Sequence, residues 1–97
     1  MSIAWYCYSP SHHYLVTSTK VETSQLQVWA IRNSTVYKLG MVELDTVVVK
    51  DRDVSFMTVY NQTFLRVNIN TGEGESSVLK EIQLYCVIND QVLGCIL

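Results

Sequence analysis

The sequence predicts an all-β protein, a small antiparallel sandwich or open barrel of about seven to nine strands. Valine, threonine and tyrosine recur along the 97 residues, whereas alanine appears only at Ala4 and Ala30. Short segments of alternating apolar and polar residues are separated by turn residues at regular intervals. The length suits one autonomous unit, so residues 1–97 are predicted to form a single all-β domain.

Each predicted strand is a β-branched or aromatic segment bounded by turn-forming residues such as Ser-Pro-Ser, Asn-Ser or Asn-Asp. Gly40 marks either a bulge or a turn, which leaves open whether the segments beside it form one bent strand or two. In chain order the predicted strands are Ile3–Tyr8, His12–Ser18, Gln25–Ile31, Thr35–Leu39, Val42–Lys50, Val54–Tyr60, Thr63–Ile69, Leu79–Ile88 and Val92–Leu97.

The hairpin from Val54 to Ile69 allows a prediction of its register. If Asn61-Gln62 forms a two-residue loop, one side of the hairpin is largely apolar and the other is half polar, which suits a sheet with one solvated face. A slip of one residue would scatter this pattern. The predicted facing pairs on the apolar side are Tyr60 with Thr63, Thr58 with Leu65, Phe56 with Val67 and Val54 with Ile69.

The C-terminal segment is apolar on both faces of the predicted strand Ile82–Ile88. A strand of this kind in a thin domain needs cover on both sides, and a homodimer across the segment is the simplest source of that cover. The alternative is that Val92–Leu97 is a central core strand. The predicted interaction surface combines this segment with the aromatic N-terminal region and consists of Tyr85, Val87, Val92, Leu93, Ile96, Leu97, Trp5 and Tyr8.

The charge of the chain and the composition of its N-terminus indicate which kinds of partner and which cellular location to expect. The net charge is −2, and the close basic pair Lys50 and Arg52 is flanked by aspartates, which argues against nucleic-acid binding. No secretory signal or membrane-spanning run is recognisable, so the sequence predicts a cytoplasmic protein without an integral membrane segment. Three cysteines, an odd number, suit a reducing compartment. The sequons at Asn33 and Asn61 are interpreted as turn residues.

The stretch YCYSPSHHYLVTS holds a cysteine and two histidines and is the best candidate for chemistry. A zinc site could combine Cys7, one histidine, Cys86 and Cys95, but the short paired spacings of zinc sites are missing. His12 and His13 are adjacent on a predicted strand, so their side chains should point to opposite faces. A Cys7–histidine nucleophile would lack a supporting oxyanion turn. The sequence therefore assigns no catalytic residue, no metal ligand and no cofactor.

The function predicted from these observations is a non-enzymatic protein–protein interaction module that binds itself and an unidentified protein. The composition, rich in Val, Tyr, Thr, Ser and Cys and poor in Ala, is similar to that of small accessory proteins of RNA viruses that act on host factors. One alternative is a β-barrel that binds an apolar ligand or lipid in its interior. A second alternative is a Cys/His-dependent or zinc-containing enzyme.

Overall fold

A computed structural model describes residues 2–45, 47–71 and 77–95, which form two four-stranded antiparallel sheets. The described residues include one 3₁₀ turn, Asp51–Asp53, and no helix long and apolar enough to cross a membrane. The all-β class and the number of strands are thus confirmed. The strands are β1 (Trp5–Ser9), β2 (Tyr14–Ser18), β3 (Gln25–Arg32), β4 (Thr35–Glu43), β5 (Val54–Val59), β6 (Gln62–Thr71), β7 (Val78–Ile88) and β8 (Gln91–Cys95).

Each sheet is a simple up-and-down meander. The first sheet has the order β1-β2-β3-β4 and the second has the order β5-β6-β7-β8. The sheets face one another, and the edge strand β1 lies beside β5 while β4 lies beside β8. One core unites them: Leu26 and Val28 of the first sheet pack in the same buried cluster as Leu65 and Val67 of the second, and all four are 0% exposed. Burial of these apolar side chains is the main stabilising term of the fold.

The two segments predicted on either side of Gly40 form one strand, β4. The prediction that the second segment continues as a strand to Lys50 was wrong, because β4 ends at Glu43. A bulge between Val28 and Trp29 shifts the pairing from Gly40 to Lys38. After Glu43 the chain leaves the first sheet and crosses to the second, with a single bridge from Thr23 to Val49 on the way. A segment that changes sheets cannot keep its ladder partners, however β-prone its valines are.

Three hairpins close with two-residue turns in which both central residues have positive φ, the signature of type I′. These turns are Asn33-Ser34, with φ of 51° and 64°, Tyr60-Asn61, with 51° and 64°, and Asn89-Asp90, with 51° and 57°. The hairpin β5–β6 therefore turns one residue earlier than predicted. Phe56 pairs with Leu65, not with Val67. The predicted partners were wrong by two residues, and because two is the side-chain period, the residues were still assigned to the correct faces.

The β1–β2, β3–β4, β5–β6 and β7–β8 turns lie at one end of the molecule, because alternate turns of an antiparallel meander share an end. Two side-chain contacts join the sheets there: Arg32 Nη2 lies 3.1 Å from Asp90 Oδ1, and Ser11 Oγ lies 3.4 Å from Thr58 Oγ1. We call this surface the turn end. It consists of residues 10–13, Asn33-Ser34, Tyr60-Asn61 and Asn89-Asp90.

Candidate functional site

The face of the second sheet that points away from the core is apolar, and its described side chains are partly or largely exposed. Register places Met57, Phe64, Cys86 and Leu93 in one row across all four strands of this face. Leu93 is 48% exposed, although its side chain is large and apolar. We call this surface the outer apolar face. Its members are Met57, Val59, Phe64, Ile82, Leu84, Ile88 and Leu93.

The polar groups of the outer apolar face are few. Arg66 donates from Nε to Oδ1 of Asn68 at 3.0 Å, so its guanidinium lies along the same face of β6. Ser55 lies opposite Arg66 on the edge strand β5. A contiguous apolar surface with a sparse polar border is typical of a protein–protein contact site, since soluble monomers rarely expose apolar patches of more than a few hundred Å².

The predicted interaction residues are distributed over both sides of the sheets. Val87 is 4% exposed, and Tyr85, Val92 and Trp5 pack against the core. Leu93 lies on the outer apolar face. Tyr8, 40% exposed, lies on the outer side of the first sheet. Ile96 and Leu97 lie outside the described residues. Among the predicted residues within them, Leu93 and Tyr8 are the ones that offer a large surface to a partner.

Sequence reasoning missed the residues that make the outer apolar face contiguous. Met57 and Phe64 come from the hairpin β5–β6, whose outer side had been interpreted as half solvated. Ile82 and Leu84 were recognised as apolar but were not assigned to the outside. The signal that could have found them is the pairing of Phe64 with Cys86, which joins the outer sides of two hairpins into one surface.

Cys7 and Cys86 lie on different sheets and point in different directions. Cys7 is a free, partly buried thiol on the core side of β1, paired with Val16. Cys86 is disulfide-bonded and lies on the outer side of β7. The two cannot share one metal ion, and the described residues contain no group of three or more potential metal ligands. The side chain of Cys95, the remaining predicted ligand, lies outside the described part of the chain.

The environment of Cys7 does not activate it as a nucleophile. Burial raises the pKa of the Cys7 thiol, and a backbone hydrogen bond from Phe56 offsets this only in part. Reactive cysteines need the opposite shift, because the thiolate is the species that attacks. The disulfide at Cys86 also bears on location, since disulfides persist mainly in oxidising compartments. It opposes the reducing compartment that the cysteine count had suggested.

The two histidines belong to the turn before β2 and not to the strand itself. His12 stacks on Tyr14 with ring centroids 6.2 Å apart and an interplanar angle of 5°. His13 has a φ of 57°, and its Nδ1 is hydrogen-bonded to the Tyr8 hydroxyl at 2.8 Å. One histidine therefore packs toward the core tyrosine and the other toward the outer side of the first sheet. The two side chains point to different sides, as predicted. The reason is the left-handed backbone conformation of His13 in the turn, and not the alternation of a strand.

The turn end is rigid and carries little free charge. Arg32 binds Asp90, donates to the carbonyl of His12 at 3.4 Å, and lies 5.4 Å from the centroid of the Tyr14 ring. Gln62 Nε2 donates to the carbonyl of Val87 at 3.1 Å and so ties two neighbouring turns together. The surface thus held is rich in Asn, Ser, His and Tyr side chains, the composition that antibody paratopes use for contact.

A polar cleft of about 240 Å³ opens at the opposite end of the molecule, between the β2–β3 loop and Val48. Gln27 lines it, and the Oε1 atom of Gln27 is buried without a hydrogen-bond donor. Lys50 and Glu22 form an ion pair at 3.1 Å near its rim. This arrangement offers hydrogen-bonding groups but no acid–base pair or nucleophile with altered reactivity.

Comparison of the chain with protein-family models, with curated proteins and with solved structures found no match in any of the three.

Proposed function

We propose that this protein is a non-enzymatic protein–protein interaction module that forms a homodimer through the outer apolar face. The observation that carries the proposal is the apolar row from Met57 to Leu93, which crosses all four strands on the outer side of the second sheet. Removing such a surface from water is favourable in proportion to its area. A second copy offers an equal apolar surface, and a two-fold contact uses the same patch on both sides.

The total surface supports this assignment. The chain exposes 6433 Å², whereas a folded monomer of 11.1 kDa is expected to expose about 5,700 Å². The fold thus leaves more surface exposed than a compact monomer of the same mass does. The molecule is also flat, with extents of 43 × 34 × 21 Å, so a large fraction of its surface lies on the two sheet faces.

The charge pattern permits two copies to stack. Arg66 points outward from β6 and lies beside the apolar row. A two-fold axis that runs across the strands along the row from Met57 to Leu93 would place the two Arg66 side chains on opposite sides of that axis. Stacked sheets pack about 10 Å apart, which interdigitates side chains such as Phe64 and Leu84.

The test compares two methionine variants. Met57 lies on the outer apolar face, and Met41, 43% exposed, lies on the outer side of the first sheet. We expect the wild-type chain to sediment as a dimer and Met57→Glu to weaken self-association by at least about 100-fold, because it would bury two unpaired carboxylates. Met41→Glu should remain dimeric. A wild-type chain that stays monomeric at high concentration would contradict the proposal.

We also propose a class of partner and a cellular location for this module. The resemblance in composition to viral accessory proteins supports a cytoplasmic module that acts on host factors, while the disulfide at Cys86 opposes that location. Affinity capture from the source cells, with Met57→Glu beside Met41→Glu, would show whether a partner depends on the outer apolar face. Localisation of the tagged chain in the same cells would decide between a reducing and an oxidising compartment.

A further inference from the structure

Two of the three type I′ turns contain the acceptor sequence for N-linked glycans, Asn-x-Ser/Thr with x other than proline. These sequences are Asn33-Ser34-Thr35 and Asn61-Gln62-Thr63. Both asparagines are exposed at the turn end, and no side-chain hydrogen bond among the described residues engages either carboxamide. A glycan is bulky and needs a surface position, which both turns provide.

The third type I′ turn shows how much of this pattern the turn geometry explains. Asn89 has a φ of 51°, as Asn33 has, and is exposed at the same end. Two positions after Asn89 the chain has Gln91, the first residue of β8, and so no acceptor sequence. Tolerance of left-handed φ therefore explains the asparagines. It does not explain a hydroxyl two residues later.

Thr63 has a hydroxyl that the fold does not use. It is 2% exposed on the core side of β6, opposite Thr58 and Val87. Its Oγ1 atom is buried and has no hydrogen-bond partner among the described residues. Such a group destabilises the folded state, because it loses its hydration and gains no bond in return. Valine has nearly the same shape without this cost, so packing alone favours valine here. The need for a hydroxyl in the acceptor sequence explains the threonine.

The disulfide at Cys86 independently indicates the compartment in which such glycans are attached. Disulfides persist mainly in secreted proteins and in the lumen of the endoplasmic reticulum. N-linked glycans on Asn-x-Ser/Thr belong to proteins of the same secretory route. Cys86 lies on the outer side of β7, and the acceptor sequences lie at the turn end. Two unrelated features of the chain thus favour one location.

We propose that Asn33 and Asn61 are N-glycosylation sites, so that the turn end holds two glycans. The donor is an oligosaccharide linked through its C1 atom to a lipid pyrophosphate. The carboxamide Nδ2 forms a bond to C1 and loses one proton, while the bond from C1 to the pyrophosphate oxygen breaks and the lipid pyrophosphate leaves. Because Thr63 is buried in the folded chain, a transferase reaches its hydroxyl only before β6 packs onto the core.

The proposed glycans are independent of the proposed homodimer, since the turn end and the outer apolar face share no residue. They require the oxidising compartment that the Cys86 disulfide favours, in place of the cytoplasmic location that the composition supports. A glycan on either asparagine would therefore also decide the location.

The experiment analyses the chain purified from the source cells. Treatment with peptide-N-glycosidase in heavy-oxygen water removes N-linked glycans and converts each acceptor asparagine to labelled aspartate, which mass spectrometry of the peptides detects. We expect label at Asn33 and Asn61 and none at Asn89, the matched turn residue. On a denaturing gel, Asn33→Gln and Asn61→Gln should each remove one of two mobility steps. Gln91→Thr, which creates a third acceptor sequence, should add one.

The threonine variants test the role of the buried hydroxyl. Thr63→Val should abolish the modification of Asn61 and leave that of Asn33, whereas Thr63→Ser should retain both. In the Asn61→Gln background, where no glycan is attached at this turn, Thr63→Val should raise the melting temperature. A lower melting temperature would mean that the fold uses the hydroxyl, and it would overturn the assignment of Asn61. A wild-type chain with the intact mass of the unmodified sequence would overturn the whole proposal, whatever its oligomeric state.

Discussion

The outer sides of the two sheets have the same architecture, but their central rows differ in chemistry. On the first sheet, register places Tyr8, Leu15, Trp29 and Lys38 in one row across β1 to β4. Its aromatic residues have polar atoms with partners: the Trp29 indole donates to Thr17 Oγ1 at 2.9 Å, and the Tyr8 hydroxyl bonds His13. On the second sheet, the equivalent row of Met57, Phe64, Cys86 and Leu93 has no hydroxyl, amide or charge.

This difference shows that strand alternation does not by itself determine which side of a sheet faces water. Both sheets alternate, and both bury one side in the shared core. The outer side of the first sheet contains amphipathic side chains that satisfy their polar atoms at the surface. The outer side of the second sheet contains side chains that gain free energy only when covered. The difference supports the proposal that a partner covers the outer side of the second sheet.

The largest expected effect is on the free energy of unfolding, and it distinguishes two leucines on opposite sides of the second sheet. Leu65, 0% exposed, points into the core, and Leu84 points to the outer apolar face. Leu65→Ala should lower the free energy of unfolding by about 2–5 kcal/mol at every protein concentration. Leu84→Ala should cost less than about 1 kcal/mol when the protein is dilute and more when it is concentrated, because the proposed dimer would bury the exposed part of this side chain.

Urea denaturation at two protein concentrations measures this difference. An equal loss for Leu84→Ala at both concentrations would mean that the second outer side is not an interface.

A smaller effect concerns the cysteines, one on each sheet. Cys86 is disulfide-bonded, whereas Cys7 is a free thiol. Reduction should lower the stability of the wild-type chain by about 2 kcal/mol, since a disulfide limits the entropy of the unfolded state. Cys86→Ser should remove this dependence on the reductant, and Cys7→Ser should retain it. Thermal melts with and without dithiothreitol are the measurement, and identical wild-type melts would contradict the expectation.

The smallest expected effect is a pH dependence from one inward-facing group of each sheet. Burial raises the pKa of the Cys7 thiol above its ordinary value of 9.0. The pKa of the Tyr85 hydroxyl is raised above its ordinary value of 10.0, mainly by burial and also by the negative charge of Glu81. At pH 7 both groups are neutral in the folded and unfolded chains and contribute no pH dependence. Above these values the unfolded chain releases protons first, so stability should fall as pH rises.

Tyr85→Phe separates the two contributions. It removes the hydroxyl that donates to Gln83 Oε1 at 2.6 Å, and so it costs some stability at neutral pH. The loss of stability above pH 10 should become shallower in this variant, as followed by urea denaturation from pH 8 to 11. A steeper loss than in the wild type would contradict the assignment.

Local patterns predicted part of the candidate site and missed another part for a physical reason. Apolar residues on both faces of Ile82–Ile88 indicated correctly that this strand has no polar side. Which face meets the core depended on the pairing of Phe64 with Cys86 and of Leu65 with Tyr85, and these pairs join residues about twenty positions apart in sequence. Periodicity within one strand contains no information about the layer that packs against it.

The turn residues were likewise predicted only in part. Asn33, Asn61, Asn89 and Asp90 were recognised as turn residues, because Asn and Asp tolerate left-handed φ. That Tyr60 takes such a position was not predicted, since tyrosine in a β-rich segment indicates strand. The earlier turn changes the cross-strand partners of Leu65 and Val67 by two residues and leaves both side chains on the core side.

The sequence by itself determined the all-β class, the succession of strands and the residues of most turns, because these follow from local propensity and from the two-residue period of a strand. The tertiary structure alone decided which side of each sheet is buried, where β4 ends, and that two turns of each sheet meet at one end. These features depend on contacts between segments far apart in the chain. Such contacts are selected by the total apolar area that the two sheets remove from water together, a quantity that no single segment contains.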